Sequence, residues 1–290
     1  MNDALVFDRR QVRRQRDRAA GQFARHDFLI REAADRLADR LLDTTRQFPL
    51  ALDLGCHTGE MAEALAGGGR VGRLVSCDLS PRMAVRALQA GPALAADEEA
   101  LPFKSESFDL VVSNLSLHWV NDLPGTLLQV RHILKPDGLF IGAMLGGETL
   151  WQLRQCLMDA ELAELGGAGP RVSPFADVRD AGALLQRAGF ALPVVDVDTI
   201  TVTYGEPMKL LADLRGMGEG NAIAARRRGF SRRAIFLRAL ALYGERFADA
   251  DGRLPVTFQV LNLTAWRPHP SQPKPLAPGS GRIPLGDALK

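Results

Sequence analysis

Cysteine is scarce: the 290 residues hold three, Cys56, Cys77 and Cys156, with no Cys-x-x-Cys pair and no metal-binding spacing. That argues against a disulfide scaffold and fits a reducing compartment. No uninterrupted apolar stretch approaches the roughly 20 residues of a membrane helix. Asp3 and Asp8 stand where a secretory signal would need an apolar run, so neither a spanning segment nor a signal peptide is expected. An excess of one charge is also missing. The 36 Lys and Arg against 34 Asp and Glu leave a formal +2, which predicts no bulk attraction to nucleic acid or membrane. What remains, 46% hydrophobic and 24% charged, is ordinary globular composition with enough chain for a sizeable core. The cytoplasm is the expected location.

The stretch that organises the rest is Ala51-Leu52-Asp53-Leu54-Gly55-Cys56-His57-Thr58-Gly59. An apolar run ending in an acid and opening through glycines into a helix reads as strand, ligand-sized gap, helix. Glycine lets the backbone take strained angles and lets a ligand come close. The helix that starts near Glu60 offers unpaired N–H groups to a carboxylate. A dinucleotide fingerprint would be Gly-x-Gly-x-x-Gly. Here the order is Asp-x-Gly-x-x-x-Gly, and the acid suits an ammonium better than a pyrophosphate. This order resembles motif I of the class I S-adenosylmethionine-dependent methyltransferases. Many members carry Gly where this chain has His57, so its side chain must turn away or narrow the site.

Two further acids follow at strand ends. Leu74–Asp78 reads as a second strand whose Asp78 can accept ribose hydroxyls. Ser80-Pro81 then opens a helix as cap and first position. A third strand, 93–96, leads into Asp97-Glu98, placed to accept an adenine amino group. Ser107–Asn114 is a fourth strand, apolar on both faces, and runs into His118 and Trp119. His118 is a candidate general base or a packing residue, and Trp119 a pocket wall. A helix from Leu123 to Leu134 stops at Lys135-Pro136-Asp137-Gly138. Leu139–Met144 is a fifth strand with Gly146-Gly147 at its end. Arg154, on the next helix with Trp151, is a candidate receiver for a carboxylate.

The expected organisation is an N-terminal basic arm and helix (1–45), a core (46–205), a helical insertion or cap (206–252), a last core strand (253–267) and a Pro/Gly-rich tail (268–290). The Arg-dense run Arg9–Arg18 reads either as a solvated arm or as an arm that folds over the cofactor or meets an acidic partner. The helix from Asp27 to Leu42 presents Leu29, Ala33, Leu37 and Leu41 on one face. The fold class is α/β: a Rossmann-like, mostly parallel seven-stranded sheet with helices on both faces and the insertion before the last strand.

Over nearly the whole chain the runs Ser113–Pro124, Ile133–Met144, Gly146–Leu150 and Asp213–Asn221, with Phe7-Asp8-Arg9 and Ser173-Pro174-Phe175, resemble the mitochondrial complex I assembly factor of methyltransferase fold. More distantly, the chain is similar to the malonyl-carrier-protein O-methyltransferases of biotin synthesis. The resemblance implies S-adenosyl-L-methionine held by Asp53, Gly55, Cys56, Gly59, Asp78, Leu79, Asp97, Glu98 and Asn114. The catalytic residue stays unknown, with His118 and Asn114 as candidates, and Trp119, Gly147, Trp151 and Arg154 are placed on the substrate side. The complex I resemblance further implies modification, by hydroxylation, of an arginine in an iron–sulfur subunit, with that protein as partner and peripheral association with the inner membrane. Two alternatives stand beside it: methylation of a carrier-linked or small-molecule carboxylate, and a non-catalytic assembly chaperone. The five histidines are scattered, with no His-x-Asp/Glu plus distal His set for non-haem iron, so no metal is expected.

Overall fold

A computed structural model describes residues 5–273, so the tail expected at 268–290 lies mostly outside the described residues. Seven strands form one sheet in the order β3-β2-β1-β4-β5-β7-β6. They are β1 (Phe48–Leu54), β2 (Val71–Asp78), β3 (Ala93–Ala95), β4 (Phe108–Asn114), β5 (Leu134–Leu145), β6 (Ala191–Tyr204) and β7 (Leu254–Trp266). β1 to β5 run parallel, while β7 lies antiparallel between β5 and β6.

The central strands are apolar on both sides because helices cover both faces. On β4, Leu110 and Val112 join one core cluster and Val111 the other. The first cluster takes in α2 (Phe28–Leu42), α6 (Trp151–Leu165), α8 (Pro207–Gly216) and α9 (Arg233–Phe247). The second takes in α5 (Leu123–Ile133) and α7 (Val178–Arg187). The four-residue spacing on α2 places Leu29, Ala33, Leu37 and Leu41 inside. α3 (Glu60–Leu65) and α4 (Pro81–Ala87) follow β1 and β2, and Ser80 caps α4 by accepting from Met83 N at 3.1 Å. No helix among the described residues is long and apolar enough to cross a membrane.

The arginine run forms α1 (Arg9–Ala19), capped by Asp8. Arg10, Arg13, Arg14 and Arg18 face solvent, but Arg16 shares the inward face with Val12 and Ala19 and is 1% exposed. α1 lies across the carboxyl ends of the parallel strands, where open α/β sheets bind ligands.

Candidate functional site

The loop after β1 is built for close approach. Gly55 has φ +78°, and a Cβ there would sit 2.1 Å from Ser116 Oγ, so no larger residue fits. Gly59 opens α3 at φ +110°. His57 also takes positive φ, +50°. Its ring stacks on Phe23 with centroids 5.4 Å apart, and its Nε2 bonds the Asn114 carbonyl at 3.0 Å. The ring therefore braces the loop against the end of β4. Burial, reinforced by the Arg16 cation, lowers its pKa to about 4, so His57 is neutral near pH 7. Cys56 is buried within the same loop, and burial pushes its thiol up.

Three acids meet at the strand ends in different states. Asp53 is fully buried and neither carboxylate oxygen has a donor. Burial first, then Glu60 and Asp78, raises its carboxyl well above the ordinary range. Asp78 is saturated: Oδ1 accepts from Ser80 N at 2.7 Å, and Oδ2 accepts from His57 N at 3.1 Å and Arg16 Nη1 at 3.2 Å. Glu98 accepts from Arg16 at 3.2 Å, from Ser116 Oγ at 2.7 Å and from Arg9. Burial would raise Glu98, but the Arg16 and Arg9 guanidiniums outweigh it and hold the carboxyl at about 2. Arg9 also donates to Asp97 at 2.6 Å. Asn114 donates to the Ile30 carbonyl at 2.8 Å and leaves its buried Oδ1 without a partner. Leu79 packs beside Phe7, Val12, Trp119 and Ala222.

These residues fit a cofactor with an ammonium and a ribose, in two degrees. Asp53 and Asn114 Oδ1 are buried acceptors without donors, while the space beside Gly55 is taken by Ser116. Asp78 suits ribose hydroxyls as well, but its oxygens now serve Arg16, Ser80 and His57. Arg16 thus stands where the sequence places a ribose.

Beside this cleft, under α1, is a cavity of about 640 Å³. Its walls are apolar, with Leu145, Leu150, Leu153, Leu157, Phe175 and Phe258, and its polar lining includes Gln11, Gln15, Arg18, Arg215, Glu219 and Asn221. Of the residues assigned to substrate, Trp119 lines it. Gly147, Trp151 and Arg154 do not. Arg154 is spent on the carbonyls of Gly147, Thr149 and Ser173 at 3.3–3.4 Å, which ties the loop after β5 to its own helix rather than offering a free cation. Trp151 packs edge-on to Phe247 at 5.1 Å. His118 is buried, with Nε2 at 3.0 Å from Glu219 Oε2.

Sequence reasoning missed Arg16, Ser116 and Glu219. The available signal for Arg16 was its place at i+4 between Val12 and Ala19 on an apolar stripe. Glu219 lies 100 residues from Trp119 in the chain and nothing local marks it.

A family described as "Methyltransferase domain" matches residues 52–142. The mitochondrial arginine-hydroxylase NDUFAF5 of Danio rerio is 46% identical over 290 residues, covering 98% of this chain and 90% of the relative. The human protein of that name is 44% identical, covering 98% and 84%. The malonyl-[acyl-carrier protein] O-methyltransferase of Laribacter hongkongensis is 40% identical over 283 residues, covering 92% of each. Among solved structures, YcgJ from Bacillus subtilis aligns at TM-score 0.57 with 13% identity, covering 81% of this chain and 99% of that one, a likeness of fold. With that much identity along nearly its full length, this chain belongs to the family of the arginine-hydroxylases NDUFAF5, within the S-adenosylmethionine-dependent methyltransferase superfamily.

Proposed function

We infer that the chain binds S-adenosyl-L-methionine at the carboxyl ends of β1, β2 and β4. We further infer that it acts in respiratory complex I assembly by modifying, through hydroxylation, an arginine of an iron–sulfur subunit. The observation that carries the reading is 44–46% identity to proteins named arginine-hydroxylases over 98% of the chain, so that the likeness includes α1 and the insertion as well as the core. In this reading Asp53 and Asn114 hold the ammonium, Asp78 the ribose, and Asp97 with Glu98 the adenine. Trp119 keeps water out. When bound, the cofactor supplies a sulfonium with an electrophilic methyl group. Among the described residues no three His, Cys, Asp or Glu side chains converge as metal ligands. The oxygen-activating step of a hydroxylation is therefore assigned to none of them.

A second reading, methylation of a carrier-linked carboxylate, draws support from Arg18 and Arg215. Both line the apolar cavity and make no ion pair among the described residues. The experiment is peptide mass spectrometry of the complex I iron–sulfur subunits from a deletion strain and its parent. An arginine lighter by one oxygen in the deletion supports hydroxylation, and a residue lighter by one methylene means methyl transfer to protein. No change in either removes the first reading and leaves a carrier-bound acceptor or a chaperone.

A further inference from the structure

The cavity under α1 has one carboxylate among its lining residues, Glu219. It sits on the turn that follows α8, where Gly218 at φ +81° lets the chain pass close over Arg16 and Glu219 N donates to the Leu214 carbonyl at 2.8 Å. Its side chain is only 10% exposed. Trp119 Nε1 donates to both oxygens, at 3.1 and 3.0 Å, and His118 Nε2 lies 3.0 Å from Oε2. Burial opposes ionisation, but His118, Trp119 and Arg16 together hold the carboxyl below its ordinary value, so it carries charge near pH 7. Oε1 has a single donor and keeps a lone pair for another.

We propose that Glu219, oriented by His118 and Trp119, is the receptor for the guanidinium of an acceptor arginine entering the apolar cavity. The proposal rests on the arginine-modifying reading and names the residue that would recognise that substrate. A planar guanidinium gains most from a fixed, desolvated carboxylate. Its methylene stem suits walls of Leu145, Leu150 and Phe258, along which an arginine side chain can lie. Of the nearby cations, buried Arg16 is already paired with two carboxylates, Asp78 and Glu98; Arg171 is paired with Glu161 and lies over Phe236; Arg18 and Arg215 are exposed, where solvent and salt screen them. At the rim they suit acidic residues flanking the target arginine. His118 is then a positioning residue: it touches Glu219, not the substrate.

The probes are N-acetyl-arginine methylamide and its citrulline counterpart, nearly isosteric but neutral, with ligand-observed NMR on the full chain in the presence of S-adenosylhomocysteine. The arginine probe should bind the unaltered protein and the citrulline probe at least about tenfold more weakly. Glu219→Gln should lower arginine affinity by about tenfold or more. His118→Gln, which still donates, should lose less than His118→Leu. Equal binding of the two probes overturns the proposal without needing any variant. So does a Glu219→Gln protein that melts cooperatively and binds the arginine probe as before, or binding of a monomethyl malonate probe in place of arginine. Because no turnover is read, the result separates from the function itself. Arginine binding without an oxygen difference in the deletion strain keeps the site and removes the hydroxylation. An oxygen difference fully restored by Glu219→Gln does the reverse.

Discussion

Replacing Asp53 by Asn is expected to stabilise the cofactor-free protein while destroying its cofactor site. Asp53 is fully buried, near Glu60 and Asp78, and receives no donor. Asparagine keeps the volume and the unmet hydrogen bonds but cannot ionise, so it escapes the cost of burying a charge and is expected to be the more stable form near pH 8. At about 2–4 °C per kcal/mol for a chain of this size, the melting point should rise visibly. The sign of the pH dependence is set by the raised carboxyl. With the folded value above the unfolded 3.8, the protonated side chain's contribution is complete below pH 3.8 and is lost as pH rises through the folded value. Asparagine has no such loss, so the gap between the two proteins should widen as pH rises from 5 to 8. Thermal melts across that range measure it, and calorimetry with S-adenosylhomocysteine measures binding. A variant that melts lower at pH 8, or a gap that does not change with pH, refutes the electrostatic argument. Retained binding refutes the ammonium site.

Since Arg16 now occupies Asp78, S-adenosylhomocysteine should raise hydrogen exchange in Arg9–Ala19; unchanged exchange would mean that the ribose binds elsewhere. Arg16→Gln leaves Asp78 and Glu98 buried with one cation fewer and should cost about 3–5 kcal/mol in urea unfolding. Gly55→Ala should cost about 2–4 kcal/mol through its φ of +78° and the Ser116 overlap, with Ser116→Gly recovering only the steric share. His57, depressed from 6.5 to about 4, contributes stability that is present above pH 6.5 and is lost as pH falls through 4. That amounts to about 3 kcal/mol at 1.36 kcal/mol per unit, and His57→Gly should flatten this part of the urea-midpoint profile.

What was readable in the sequence is what repeats locally. The apolar runs ending at Asp53 and Asp78 announce parallel strands and their ligand edge, and the spacing on α2 announces its buried face. Features made by distant pairing were not readable. Lys135-Pro136-Asp137-Gly138 reads as a breaker, yet β5 begins at Leu134. The difference is tertiary: Arg267 N donates to the Gly138 carbonyl and Asp137 N to the Arg267 carbonyl, giving the segment strand partners. The Arg9–Arg18 run hides one buried member among exposed ones, because charge counts do not say which face turns inward. Arg154 looked like a ligand for an anion because a lone Arg carries no sign of the carbonyls it will serve.

The position of β7 also constrains the order in which the molecule can be made. β6 has β7 as its neighbour in the sheet and ends at Tyr204, while β7 begins at Leu254. During synthesis β6 must therefore wait about 50 residues, at roughly 5–20 residues per second, before its ladder can form. The β1–β4 half, which carries Asp53, Asp78 and Glu98, is by then already out of the ribosome. An edge strand left unpaired for that interval is the part of this chain most open to wrong association, and β6 meets the interval with Asp196, Asp198 and three threonines along its length.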